Sequence, residues 1–202
     1  VNTFVRANKD KEALGFIKTV IDENPNNVEA KVIQGQLLAK TGNMQEAEKV
    51  FTQVIETQPK SSVGYQQLAV AQQRAGLNAE AESTLAKGLS QVPNDFGLQL
   101  TQASIHEAKG RFEEAMKMYE VLNRQKPDSE VVANNLASLI TDHRNSKNDF
   151  ERAYNLALKL KNSEIPQFLD TLGWASYKVD KLDDAEKALK KAIENHPEIL
   201  FI

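Results

Sequence analysis

Residues 169–197 read LDTLGWASYKVDKLDDAEKALKKAIENHP, and the order of small, large and turn-forming residues in this stretch decides the fold. Ala185, Leu189 and Ile193 follow one another at intervals of four, so a helix places them on one face, small residue first and large ones after. Gly173 lies on a preceding helical run, where the missing side chain lets a second helix approach closely. Pro197 closes the stretch, because its ring drives the residue before it out of helical geometry. One unit is thus two helices that lean together and then stop.

The same order recurs along the chain. Pro25, Pro59, Pro93 and Pro127 are each 34 residues apart, and Pro197 follows Pro127 by 70, two repeats with two residues added. Only Pro166 falls outside this series, where an irregular repeat hands over to the last one. Ala13, Ala47, Ala81, Ala115, Ala153 and Ala185 form one small column, and Gly35, Ala69, Ala103, Ala137 and Gly173 another. Ile17, Phe51, Leu85, Tyr119 and Leu189, with Ile21, Ile55, Leu89 and Ile193, supply the large residues that fill the gaps. Gly42, Gly76 and Gly110 sit mid-repeat, where the end of a first helix (helix A) needs a left-handed residue before the chain reverses into a second (helix B). Asn26, Ser61, Asn94, Asp95, Asp128 and Ser129, just after the prolines, are candidate caps for the next helix A.

These marks divide the chain into a partial repeat (1–25), regular repeats (26–59, 60–93 and 94–127), an irregular repeat with an inserted turn (128–165), a final repeat (166–199) and the start of a further helix (200–202). The irregular repeat has no turn glycine at Asp142–Asn148 and a short second helix ending near Lys161. Less apolar burial per residue makes this the expected soft joint. Val1 enters part-way through a first helix and Leu200-Phe201-Ile202 opens one that does not continue, which predicts a piece of a longer array. Phe4, Val5 and Ile199–Ile202 would then be faces that self-associate in isolation.

The period, the small columns and the closing proline resemble the tetratricopeptide repeat (TPR) family over nearly the whole chain. The resemblance implies an all-α fold, an α-solenoid of tandem helix-turn-helix hairpins, with twelve helices in a right-handed superhelix. Asn134-Asn135-Leu136-Ala137, the lengthened turn and Asp170-Thr171-Leu172-Gly173-Trp174 are also similar to bacterial TPR proteins of the exported, exopolysaccharide-associated lipoprotein type.

Composition removes several function classes. Content of 41% hydrophobic and 26% charged residues is that of an ordered chain, and no apolar run approaches the about 18 residues that cross a bilayer. Net charge is −3, with Lys and Arg dispersed among Asp and Glu, which disfavours a nucleic-acid partner. Without Cys there is no disulfide or thiolate site, a composition compatible with either a bacterial cytoplasm or a cell envelope. His106, His143 and His196 belong to separate repeats, and no metal or phosphate motif is present, so neither metal nor cofactor is expected. Glu113-Glu114 and Asp183-Asp184 open second helices, where they complement the helix dipole, a role that outweighs acid–base chemistry.

In the TPR family the A helices line a concave groove. The resemblance therefore assigns partner contact to Val32 and Gln36, to Val63, Gln66, Val70 and Gln73, to Leu100 and Ser104, to Asn134 and Ser138, and to Asp170, Trp174 and Tyr177. The lysine–asparagine clamp that some members use for acidic chaperone tails is unmatched, since Val32, Gln36, Gln66 and Val70 stand in those places. An extended, weakly charged peptide or a partner helix fits the amide and aromatic lining. Trp174 has a second reading, packed against the preceding repeat. Gln34 and Gln102 are read as bonds between helices, and the His143-Arg144 turn as a length variation or a partner contact. The expected function is a non-catalytic interaction module or scaffold. The alternatives are the substrate-binding arm of an enzyme whose catalytic domain lies elsewhere, and a rigid spacer.

Overall fold

The computed structural model describes residues 10–195. The twelfth helix expected near the start, the apolar ends at Phe4, Val5 and Ile199–Ile202, and His196 and Pro197 lie outside the described residues. Among the described residues there are eleven α-helices and one short 3-10 turn, with no strand. They are α1 (Asp10–Glu23), α2 (Val28–Lys40), α3 (Met44–Thr57), α4 (Ser62–Arg74), α5 (Asn78–Gln91) and α6 (Phe96–Ala108), then α7 (Phe112–Gln125), α8 (Glu130–His143), α9 (Lys147–Ala157), the 3-10 turn Leu158–Leu160, α10 (Pro166–Lys178) and α11 (Leu182–Asn195). Even-numbered helices are the A helices and odd-numbered ones the B helices.

The chain forms two compact units, Val1–Lys109 and Gly110–Ile202. Within each, the closely packed helices among the described residues are one or two places apart along the chain, as in repeat architectures. In the first unit α2 packs on α3 and α4 on α5, and α4 also touches α2 and α6. In the second α8 packs on α9 and α10 on α11, with α10 also against α8.

The columns explain the packing. Ala13, Ala47, Ala81, Ala115 and Ala153 are wholly buried, and Ile17, Phe51, Leu85 and Tyr119 nearly so. At Gly35 the fit is close: a Cβ there would lie 2.5 Å from the Phe51 ring, so only the bare backbone admits that side chain. Gly64 seats Ile55 and Gly88 seats Tyr65 in the same way.

Turns follow the sequence reading with one correction. Gly42 and Gly76 adopt φ of +83° and +77°, and the residues after them bond back to Leu38 and Gln72 carbonyls, closing α2 and α4. Asp180 takes this left-handed place in the final hairpin at φ +59°, with Lys181 N–H bonding to Ser176 C=O. The caps sit two residues after each proline, and the correction is Asn27 in place of Asn26. Asn27, Ser61, Asp95 and Ser129 accept the N–H of Ala30, Val63, Leu98 and Val132, whereas Asn26, Asn94 and Asp128 stay within the proline turns. Pro166, outside the proline series, opens α10 at the start of the final repeat, where its missing N–H costs nothing.

The irregular hairpin ends α8 with Arg144 extended, and Ser146 caps α9 by accepting Asp149 N–H while its hydroxyl donates to the Asp149 carboxylate. Long side chains tie this hairpin back: Arg144 to Glu113, Arg152 to Glu120, and Lys159 to the Pro127 carbonyl. His143 stacks on Phe112 at 3.7 Å between centroids. The inserted turn is thus held internally by both residues considered for partner contact.

Candidate binding site

In the first unit the assigned contact residues lie on α2, α4 and α6 and are all at least partly accessible. Val63 and Gln36 are exposed, while Val32, Gln66, Val70, Gln73, Leu100 and Ser104 are half-buried. Their amides are largely committed to the next A helix. Gln36 Nε2 donates to Gln67 Oε1 at 2.7 Å, and Gln73 Nε2 donates to Ser104 Oγ at 2.9 Å, each across 31 residues. Gln66 lies over Gly97, whose absent Cβ would sit 2.7 Å from the amide nitrogen. These glutamines join consecutive hairpins and leave their remaining donors and acceptors outward.

Gln34 and Gln102, expected to bond between helices, make no hydrogen bond among the described residues; Gln72 does so instead. Buried on α4, it donates to Glu48 and accepts from Thr84, linking α3 and α5 through one amide. A groove of about 560 Å³ lies above this triplet. The signal for Gln72 was its spacing, since it stands 34 residues after Leu38 and 68 before Ile140, in a column that packs between helices.

In the second unit α10 presents Asp170, Trp174 and Tyr177 from one helical face, all exposed. The Trp174 and Tyr177 rings stack at 5.4 Å between centroids with 16° between planes, yet remain 45% and 53% exposed. Trp174 is therefore not packed under the preceding repeat. Lys178 Nζ stands 4.6 Å from the Trp174 ring centroid, a cation–π contact that steadies the indole. On α8, Asn134 Nδ2 donates to Asn135 Oδ1, which leaves Asn134 Oδ1 buried without a partner among the described residues. Asn135 donates in turn to the Tyr119 hydroxyl, and Ser138 to the Asp142 carboxylate at 3.4 Å.

Sequence reasoning missed a hollow that shares Lys178 with the Trp174 stack. It has a volume of about 740 Å³ and is bounded by the inserted turn, α9 and the turn between α10 and α11. Its aromatic walls are Phe150 and Tyr154, and Lys178 and Lys181 lean over them. The signal was present: Lys178-Val179-Asp180-Lys181 stands where earlier hairpins carry a glycine turn. Among the described residues no cluster of His, Cys, Asp and Glu could hold a metal ion, and no helix is long and apolar enough to cross a membrane.

Known proteins agree with this geometry. A TPR repeat-containing protein of Pseudomonas aeruginosa (strain PAO1) is 25% identical over 198 residues, which are 95% of this chain and 33% of that protein. This chain thus spans a third of that relative's length. Yeast Tom70 superposes with a TM-score of 0.78 at 19% identity, over 91% of this chain and 39% of Tom70. YrrB, a TPR protein with an unusual peptide-binding site, superposes with a TM-score of 0.58 at 12% identity, over 90% of this chain and 93% of YrrB. These likenesses establish an all-α solenoid of helical hairpins. The tetratricopeptide repeat model itself matches residues 5–72, 38–105 and 72–139, more than half of the sequence, and the chain belongs to the tetratricopeptide repeat family.

Proposed function

We propose that this chain is a non-catalytic interaction module that holds an extended peptide or a partner helix against its A helices. The observation that carries the reading is the Trp174–Tyr177 stack, large rings left open to solvent and pre-ordered by Lys178. Rigid aromatics give much contact area for little lost freedom, so they are the natural anchors of such a surface. Asn134, Ser138 and Asp170 supply polar contacts nearby in the register, and the outward groups of Gln36, Gln66 and Gln73, with Val32, Val63, Val70, Leu100 and Ser104, extend them in the first unit. The peptide-binding site of YrrB is a precedent for a peptide ligand on this fold. Nucleic acid is disfavoured by the net charge of −3. The bacterial exported-lipoprotein type rests on the Asn134–Ala137 and Asp170–Trp174 segments and the lengthened turn between them.

The test is capture of the native partner by the chain, by Trp174→Ala and by Asn134→Ala, with thermal melting of each. Trp174→Ala is expected to weaken capture by about tenfold or more with melting unchanged. Undiminished capture by both variants would remove the helix-A assignment. A second reading, the substrate-binding arm of a larger enzyme, is favoured by the chain spanning 33% of its Pseudomonas relative. It predicts that the full-length protein turns over a substrate whose affinity falls in the same variants.

A further inference from the structure

The hollow of about 740 Å³ in the second unit involves none of the assigned helix-A contacts. It exists because of two local departures from the repeat: the turn inserted before α9, and a lysine-flanked turn in place of a glycine turn before α11. Lys178 Nζ stands 5.3 Å from the Phe150 centroid, and Lys181 Nζ 4.1 Å from that of Tyr154. Elsewhere in this unit Arg144 meets Glu113 and Arg152 meets Glu120, while Lys159 donates to the Pro127 carbonyl. Lys178 and Lys181 form no ion pair among the described residues.

A ring face attracts an ammonium through its quadrupole but leaves its N–H donors available. It also shields one side of the charge from water, which strengthens attraction to an anion arriving from the other. Tyr154 is fixed for this purpose, its hydroxyl donating to the Asp184 carboxylate at 3.0 Å. Two positioned, un-neutralised ammonium groups on aromatic supports thus face a hollow large enough for several side chains.

We propose that this hollow is a second binding surface, which receives an acidic peptide segment of a partner protein on Lys178 and Lys181. Asn145 and Asn155, also in the lining, pair with peptide backbone through both amide atoms. Glu151 and Asp180 share the hollow and select the class of ligand. They accept peptide N–H groups but repel a dense polyanion, and the net charge of −3 adds repulsion at long range. Spaced carboxylates on a peptide complement this pattern; a nucleic-acid backbone does not.

The experiment measures fluorescence anisotropy with a short labelled peptide of alternating Glu and Ser, its Gln–Ser counterpart, and oligothymidylate. The full chain is compared with Lys181→Gln, Lys178→Gln/Lys181→Gln and, as a charge-matched control on an exposed turn of the first unit, Lys60→Gln, each checked for fold by circular dichroism. The Glu–Ser peptide is expected to bind, Lys181→Gln to weaken it about threefold and the double variant about tenfold, and Lys60→Gln to change nothing. Lys181 touches Tyr154 and not Trp174, so its loss separates this surface from the helix-A reading. Backbone amide shifts on titration should centre on Asn145, Asn155 and Lys181. Equal binding of the Gln–Ser peptide, equal binding by the double variant, preference for oligothymidylate, or no saturable binding of the Glu–Ser peptide would each overturn the proposal.

Discussion

The first hairpins and the last one follow the same register but fill it differently. In the first unit Gly35 faces Phe51, which is 1% exposed, while in the final hairpin Gly173 faces Leu189, which is 38% exposed. Glycines form the left-handed turns at residues 42 and 76, and Asp180 forms the one at the end of α10. Amides of the early A helices bond to the next helix, whereas α10 leaves Trp174 and Tyr177 uncovered. The repeat period fixes where a residue sits. Side-chain identity decides whether that place joins hairpins or stays open to a partner.

The largest expected contrast comes from adding one methyl group at equivalent places. In Gly35→Ala the new Cβ falls 2.5 Å from a Phe51 ring enclosed by its neighbours, so the core must shift at a cost of about 2 kcal/mol, or about 5 °C in Tm. In Gly173→Ala the Cβ meets Leu189 at 2.6 Å, but that side chain has solvent to move into. The helix-propensity gain of about 0.5–1 kcal/mol then offsets the crowding. Thermal melting of the pair checks this, and equal losses would mean that the final hairpin is packed as tightly as the first.

A smaller effect of opposite sign is expected at the turns. Gly76→Ala forces a Cβ into a left-handed conformation and should destabilise by about 1 kcal/mol. Asp180→Gly relieves the same strain and should stabilise by up to about 1 kcal/mol. Denaturant midpoints measure both. A destabilised Asp180→Gly would show that this carboxylate holds the turn by contacts that outweigh its backbone strain.

Much of the fold was legible because it depends on periodicity. A period of 34 residues, alanines at fixed places and prolines after the regular B helices recur along most of the chain, and all describe packing between neighbours. Ser61, Asp95 and Ser129 were among the cap candidates, but Asn26 was named one residue before the true cap Asn27, because several cap-forming residues are adjacent in each proline turn and only backbone geometry selects among them. The binding face was less legible. Sequence spacing put Gln36, Gln66 and Gln73 outward, but it could not show that i to i+31 contacts carry them onto the following helix. The lysine-lined hollow escaped altogether, since it depends on an insertion that shifts one hairpin relative to the repeat.

The irregular hairpin, expected to be soft, carries exposed side-chain ties, and the final helix offers the sharpest way to see how local such ties are. In the first unit Lys40–Asp10 and Lys109–Glu82 join different helices, so losing one affects two elements. On α11 the Glu186–Lys190 pair lies within a single helix. The hydrogen bond from Lys190, with its positive charge, holds the Glu186 carboxyl below its ordinary value. A carboxylate depressed in the folded state stabilises above its unfolded pKa, and that stabilisation is lost as pH falls through the folded one. Glu186→Gln should therefore speed amide exchange along α11 at neutral pH and leave α2 and α4 unchanged. On acidification the two proteins should converge as Glu186 of the wild type protonates, below the usual carboxylate range. A change in exchange at α4 would mean that the final hairpin is coupled to the first unit, contrary to the neighbour-only packing on which the comparison rests.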